Sequence, residues 1–221
     1  MTAPAESIWT LAGDETSWSA WAEQLGLADA SALMWDLVSS YKTPLQTWAI
    51  DIGCGTGRAF LPLVEAGYRV IGIDPTWMSI ALCKKRIRHT SLCAYPTLAS
   101  ADRIPLPGAS IDFVFALSSL FHLNLKELGS ALQEIQRILR PGGKAVLHFL
   151  DLEDWRRTLA EPVHPDLAPA SGYQAVVTCF CSPNQIQHWI AAAGLSLIAL
   201  DLHTSLSEHG QQRNWIAHCT R

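Results

Sequence analysis

The stretch Ala49-Ile50-Asp51-Ile52-Gly53-Cys54-Gly55-Thr56-Gly57-Arg58 organises the chain. An apolar run meets an acid, and three glycines follow at alternate positions. The pattern predicts a buried strand, Leu45 to Ile52, that ends in a tight turn. Glycine has no Cβ, so backbone N–H groups in such a turn can lie close to a ligand. A glycine-rich turn with no ligand carries the same local signature. The neighbouring segments must decide between the two.

After the turn, the pattern predicts a helix from Thr56 to Ala66, stopped by Gly67 and kinked at Pro62. Tyr68 to Ile73 reads as a second strand that ends in Asp74. Pro75-Thr76 then opens a helix to about Arg88, with Thr76 as its cap. Parallel neighbours bring Asp51 and Asp74 to one rim, and a carboxylate at the second strand tip suits a ribose diol. A dinucleotide fingerprint, G-x-G-x-x-G, needs a third glycine where Arg58 stands. G-x-G-x-G with Asp51 ahead of it fits a smaller ligand without a pyrophosphate, and the acidic rim favours a cationic one.

The alternation continues. One strand falls within residues 91–99, a turn-rich connection follows over 100–107, and Ser110 to Leu117 is the fourth strand. Ser118 to Leu123 comes just past its end, on the same rim. Lys126 to Leu139 has Leu128, Leu132, Ile135 and Leu139 at helical spacing. Pro141-Gly142-Gly143 stops that helix, and Lys144 to Leu150 is the fifth strand.

Five stretches together resemble a class I S-adenosylmethionine-dependent methyltransferase of the small-molecule type. They are AIDIGCGTG at 49–57, VIGID at 70–74, ADRIPLPGASIDFVFA at 101–116, SSLFHL at 118–123 and LQEIQRILRPGGKAVL at 132–147. The resemblance covers about residues 45–150 and is weaker from 183 to 219. It implies an α/β fold: a single Rossmann-like three-layer sandwich, its sheet mostly parallel with a C-terminal antiparallel hairpin. It implies S-adenosyl-L-methionine as cofactor and S-adenosyl-L-homocysteine as product. The implied cofactor residues are Asp51, Gly53, Cys54, Gly55 and Gly57 at the turn, and Asp74 on the ribose. Pro75, Trp77 and Met78 flank the adenine, with Ser100, Ala101, Asp102 and Ala116 nearby. Family members carry Asp where this chain has Ser100, so adenine reading falls to Ser100, the Ala101 backbone or Asp102.

The 221 residues suffice for one substantial domain. The formal net charge of −4 leaves no footprint for nucleic acid or an anionic membrane. The basic run Lys84-Lys85-Arg86-Ile87-Arg88 reads as a helix end, where cations suit the dipole, or as a phosphate patch. The first residues lack the basic and apolar regions of a secretory signal. Six cysteines without a C-x-x-C pair read as free thiols in a reducing, cytoplasmic compartment. No metal site is expected.

Residues 1–44 are expected to form an N-terminal helical cap, with helices over Asp14–Gln24 and Asp29–Tyr41. Residues 45–221 are expected to form the methyltransferase domain. Residues 151–181 exceed an ordinary connection and leave the cofactor rim, so they read as a substrate-side insertion. Trp18, Trp21, His164 and Tyr173 are the candidates to face the substrate; core packing or a loop position is the alternative for each. Ser182-Pro183-Asn184-Gln185 carries the signals of a capped helix start. That helix runs to Ala193. Strands Leu195–Leu202 and Gln212–Cys219 follow, with a polar loop over 204–210.

Methyl transfer from a sulfonium is an in-line displacement, needing alignment and exclusion of water more than covalent help. His122 is the rim candidate for a general base or for positioning the acceptor; a structural histidine is the alternative. The acceptor is expected to be a small, partly apolar molecule, with neither nucleic acid nor membrane as partner. Whether the protein is a monomer or a homodimer is left open. Two other readings stand beside this one: a non-catalytic S-adenosylmethionine-binding domain acting through partners, and an NAD-dependent oxidoreductase.

Overall fold

In the computed structural model, residues 29–43, 47–159, 167–169, 177–207 and 210–221 are described. The segment expected as a first helix (Asp14–Gln24) lies outside them, as do Trp18, Trp21, His164 and Tyr173. Nine strands and five α-helices are defined among the described residues. The strands are β1 (Thr47–Ile52), β2 (Tyr68–Asp74), β3 (Ala94–Leu98), β4 (Ile111–Ala116), β5 (Leu139–Asp151), β6 (Leu167–Pro169), β7 (Val177–Cys181), β8 (Ser196–Ser207) and β9 (Gly210–Thr220). The helices are α1 (Ala32–Ser39), α2 (Phe60–Glu65), α3 (Trp77–Ile87), α4 (Leu125–Ile138) and α5 (Pro183–Ala192).

Strands β3-β2-β1-β4-β5 lie side by side and parallel. The chain winds outward from β1 to β3, then crosses back to β4 on the other side of β1. Ligands bind such sheets at the strand ends beside this reversal. β9 runs antiparallel along β5, from Lys144↔Thr220 to Leu150↔Asn214, and β8 covers β9. The parallel sheet and reversed hairpin expected from the sequence are therefore both present. The stretch expected as an insertion adds two strands. β7 joins the tip of β5 in parallel through Leu150↔Phe180 and Asp151↔Cys181, and β6 pairs antiparallel with β7.

Alternation along the strands divides the core. Ile50, Ile52, Val114, Ala116, Ala145, Leu147 and Phe149 pack with α4 and α5. Their neighbours Ala49, Phe113, Phe115, Val146 and Ile216 pack with α1, α2 and α3. A strand covered on both faces must be apolar throughout, and Ala49 to Ile52 is buried at every position, Asp51 included.

Local chemistry sets the helix ends. Ser182 and Gln185 form a reciprocal capping box with Pro183 in the first turn of α5. Asn124 and Glu127 do the same for α4, a box the sequence reading missed. Ser31 caps α1, whose buried residues are Met34, Leu37 and Val38. Tyr41, just beyond α1, stacks on Phe113 at 4.9 Å, and its hydroxyl meets His218 Nδ1 at 2.6 Å.

Five expectations are corrected. The helix after the glycine turn begins at Phe60, because Gly55 and Gly57 have φ of +51° and +80°, which no α-helix accommodates. Pro62 then sits in the first turn, where its missing N–H interrupts nothing. Thr76 occupies the N-cap of α3, but its side chain does not cap. Pro141-Gly142-Gly143 is a bulge inside β5: Leu139 pairs with Ile111, and the register shifts before Phe113↔Lys144. Residues 204–207 extend β8 as far as the pair Ser207↔Gly210. No described helix is long and apolar enough to cross a membrane. None of the six cysteines is joined in a disulfide.

Candidate functional site

A cleft of about 910 Å³, counting its open mouth, lies over the C-terminal ends of β1, β2 and β4. The glycine turn is its floor. The N–H groups of Gly53 and Cys54 both donate to Ile73 O, at 2.8 and 2.9 Å, and dock the turn on β2. Gly55 N–H donates to Asp74 Oδ2 at 3.0 Å, and Thr76 N–H to Asp74 Oδ1 at 2.9 Å. Both oxygens of Asp74 thus tie the turn to the start of α3. From beneath, Arg86 Nε donates to Thr56 O at 2.8 Å and the Cys83 thiol to Gly55 O at 3.1 Å. Arg86 is therefore a brace for the turn, a role neither reading of the basic run foresaw. A Cβ on Gly55 would meet nothing within 4 Å, so that position opens onto free space.

The electrostatics favour a cation. Asp51 and Asp74 are both buried. Burial pushes the Asp51 carboxyl up to about 7; Arg58 opposes the shift and Asp74 adds to it. Burial also raises Asp74, against the pull of the Thr76 and Gly55 amides and the Thr76 and Ser79 hydroxyls. A positive charge beside these groups recovers the cost of ionising them in a poorly solvated place.

The opposite wall is the loop after β4. Ser118 has φ of +58°, a left-handed conformation uncommon for a residue with a side chain. A short 3₁₀ turn over Leu120–His122 follows and sets His122, half-buried, on the cleft. The His122 ring lies 4.4 Å from that of Phe121, tilted by 58°. Thr56 Oγ1 and Ser119 Oγ are buried without a hydrogen-bond partner among the described residues. Both residues line the cleft. Unpaired buried hydroxyls are uncommon and mark where a polar ligand would be held.

The structure brings Asp51, Gly53, Cys54, Gly55, Asp74, Pro75, Ala101 and His122 to this cleft. Gly57 lies under the turn, where an added Cβ would come within 3.0 Å of Cys83 Sγ. Met78 is half-buried on α3, and Ala116 is sealed in β4. Ser100 and Asp102 flank the lining residue Ala101 without joining it in the wall. Met34 of α1, Arg58, Thr56, Ser79, Ser118 and Ser119 line the cleft although the sequence reading assigned them no contact. Ser118 and Ser119 stood in a quoted motif with no role.

A doubly wound sheet, a glycine turn fastened to the acid at the tip of β2, and a reversed terminal hairpin define a class I S-adenosylmethionine-dependent methyltransferase fold. The chain belongs to the methyltransferase domain family, whose model matches residues 50–161. It is 26% identical over 191 residues to a tRNA U34 carboxymethyltransferase of Hydrogenovibrio crunogenus, covering 82% of this chain and 55% of that protein. It is 28% identical over 138 residues to an uncharacterized methyltransferase of Anoxybacillus flavithermus, covering 57% and 62%. The chain thus spans little more than half the length of these curated relatives. The structure is similar to that of the 1,6-didemethyltoxoflavin-N1-methyltransferase of Burkholderia thailandensis, solved with 1,6-didemethyltoxoflavin and S-adenosylhomocysteine. The TM-score there is 0.74 at 14% identity, over 100% of this chain and 93% of that one. A SAM-dependent methyltransferase from Methanosarcina mazei aligns with a TM-score of 0.72 at 18% identity, covering 87% and 98%.

Proposed function

We propose that this chain transfers a methyl group from S-adenosylmethionine to a small-molecule acceptor by in-line displacement. One observation carries the reading: two buried carboxylates, Asp51 and Asp74, face one cleft across a glycine turn that opens onto it. That arrangement suits a nucleoside bearing a positive charge. When bound, the cofactor supplies an activated methyl on a sulfonium. The glycine turn, Asp51, Thr56 and Ser119 would hold its amino-acid end. Asp74 would take the ribose hydroxyls, and Pro75, Met78 and Ala101 would border the base.

The chain's own contribution is alignment and exclusion of water. Leu117, Leu120, Leu123 and Met34 give the cleft an apolar lining that keeps water from the transfer axis. His122 lines the cleft, and it would take a proton from an acceptor that must lose one. The near-complete mutual coverage with a methyltransferase solved with a small heterocycle supports a small acceptor, as does the low charge. Six cysteines outside any disulfide support a reducing, cytoplasmic setting.

Calorimetry with S-adenosylmethionine, S-adenosylhomocysteine and NAD tests the reading. Binding of the first two and not the third is expected. If neither sulfur nucleoside binds, the methyltransferase reading fails. If they bind but no methyl transfer appears across a panel of small heterocycles and phenols, the non-catalytic binding domain takes its place.

A further inference from the structure

We propose that His148 is a positioning residue: its Nδ1 holds the Ser118 amide and thereby fixes the loop after β4, with His122 on it, against the glycine turn. His148 lies inside β5, buried, and takes no part in lining the cleft. Ser118 N–H donates to His148 Nδ1 at 3.0 Å, while His148 Nε2 meets Asn214 Oδ1 at 3.0 Å. A backbone N–H only donates, so Nδ1 must be bare and the ring proton must sit on Nε2. Asn214 Oδ1 also accepts from Arg156 Nη2 at 3.2 Å, which fixes the amide with its oxygen toward the imidazole.

The groups around the ring keep it neutral. Burial is the main cause that brings the His148 pKa down to about 4; Asn214 on β9 and Asp154 act against it, and Arg156, after β5, and His203, on β8, act with it. A neutral, single-tautomer imidazole is a dependable acceptor across the working pH range.

The consequence runs along the loop. A left-handed non-glycine residue costs about 1 kcal/mol, and the bond to Nδ1 offsets that cost at Ser118. The next residue, Ser119, then packs on Gly53: a Cβ added to that glycine would fall 2.3 Å from Ser119 Cβ. Phe121 sets its ring edge-on to His148 at 5.0 Å, and the His122 ring leans on Phe121 at a tilt. The imidazole therefore holds both ends of the 118–121 segment, at Ser118 by a hydrogen bond and at Phe121 by a ring contact.

Importance for cofactor binding rests on the function proposed above; the Ser118 bond itself does not. The test compares His148→Asn, whose Oδ1 can replace Nδ1, with His148→Leu, which fills the space without an acceptor. Amide exchange at Ser118 in the free protein should stay slow in His148→Asn and speed up about tenfold in His148→Leu. S-adenosylhomocysteine affinity should fall about tenfold in His148→Leu and be largely restored in His148→Asn. Unchanged exchange and affinity in His148→Leu, or equal damage in both variants, would overturn the proposal. If the variants do not fold, nitrogen NMR of the unmodified protein decides. A coupling between the Ser118 nitrogen and a bare His148 Nδ1 supports the assignment, and a protonated Nδ1 refutes it. If the unmodified protein binds no S-adenosylhomocysteine, the function falls, while Ser118 exchange still judges His148.

Discussion

Gly53 and Ser119 meet so closely that a methyl group on the glycine would fall 2.3 Å from the serine Cβ. Gly53 also holds φ at +70°. Gly53→Ala must therefore strain its own backbone and push the post-β4 loop out of the cleft. Cofactor affinity should drop at least tenfold, with about 1–3 kcal/mol lost in unfolding free energy. Near-normal binding in this variant would show that the contact between turn and loop does not matter for the ligand.

Asp74 serves the protein before it serves a ligand. Its carboxylate accepts from the Gly55 and Thr76 amides, so Asp74→Ala leaves two backbone donors unpaired, the Thr76 one buried. A stability loss of about 2–4 kcal/mol is expected alongside abolished binding. Asp74→Asn keeps one acceptor oxygen and should lose less stability while still binding poorly. Denaturant titrations and calorimetry on both variants separate the two effects. Undiminished affinity in Asp74→Ala would remove this residue from the ribose site.

Asp51 gives the site a pH dependence of definite sign. Its carboxyl titrates near 7 in the free protein, and a sulfonium or ammonium prefers it ionised. Below that pH, binding a cation must expel the proton. Affinity for S-adenosylmethionine should weaken by up to about tenfold per unit as pH falls below 7, and level off above it. Calorimetry in buffers of differing ionisation heat should show proton release near pH 6. A flat profile from about pH 5.5 to 8.5 would contradict the assignment; Asp51→Asn should flatten it by design.

Asp154 is buried and accepts from the Arg156 backbone and guanidinium and from Arg213 N–H at 2.7 Å. Removing it strands all of these donors together with a partly shielded cation. Asp154→Ala should cost about 3 kcal/mol in stability, readable as a lower denaturant midpoint. A change under about 0.5 kcal/mol, the range of an ordinary surface site, would show that the network holds without it.

Much of this fold was legible because its signals are local. The start of α5 needs only Ser182, Pro183 and Gln185, and the strand-ending acids Asp51 and Asp74 follow from a parallel sheet. What escaped depends on distant partners. Pro141-Gly142-Gly143 looks like a stop, yet Ile111 and Arg221 draw it into a strand: Gly142 N–H donates to Arg221 O, and Arg221 N–H to Gly143 O. The helical pattern after the turn says nothing of the backbone signs at Gly55 and Gly57. Thr56, Ser119 and Met34 become parts of a site only when three separate segments converge. Asp74 was readable as a ligand-facing acid but not as the fastener of the glycine turn.

The antiparallel seam between β5 and β9 also has a consequence for how the protein is made. The second half of β5, residues 145–151, is buried throughout, and the edge it offers to β9 cannot be filled until residues 210–220 have been synthesised. At about 5–20 residues per second, that edge waits several seconds after β5 leaves the ribosome. The nascent chain therefore passes through a stage with an open, sticky strand at its centre. Chains truncated before Gly210 keep that edge open, and they are expected to aggregate on refolding where the full chain does not.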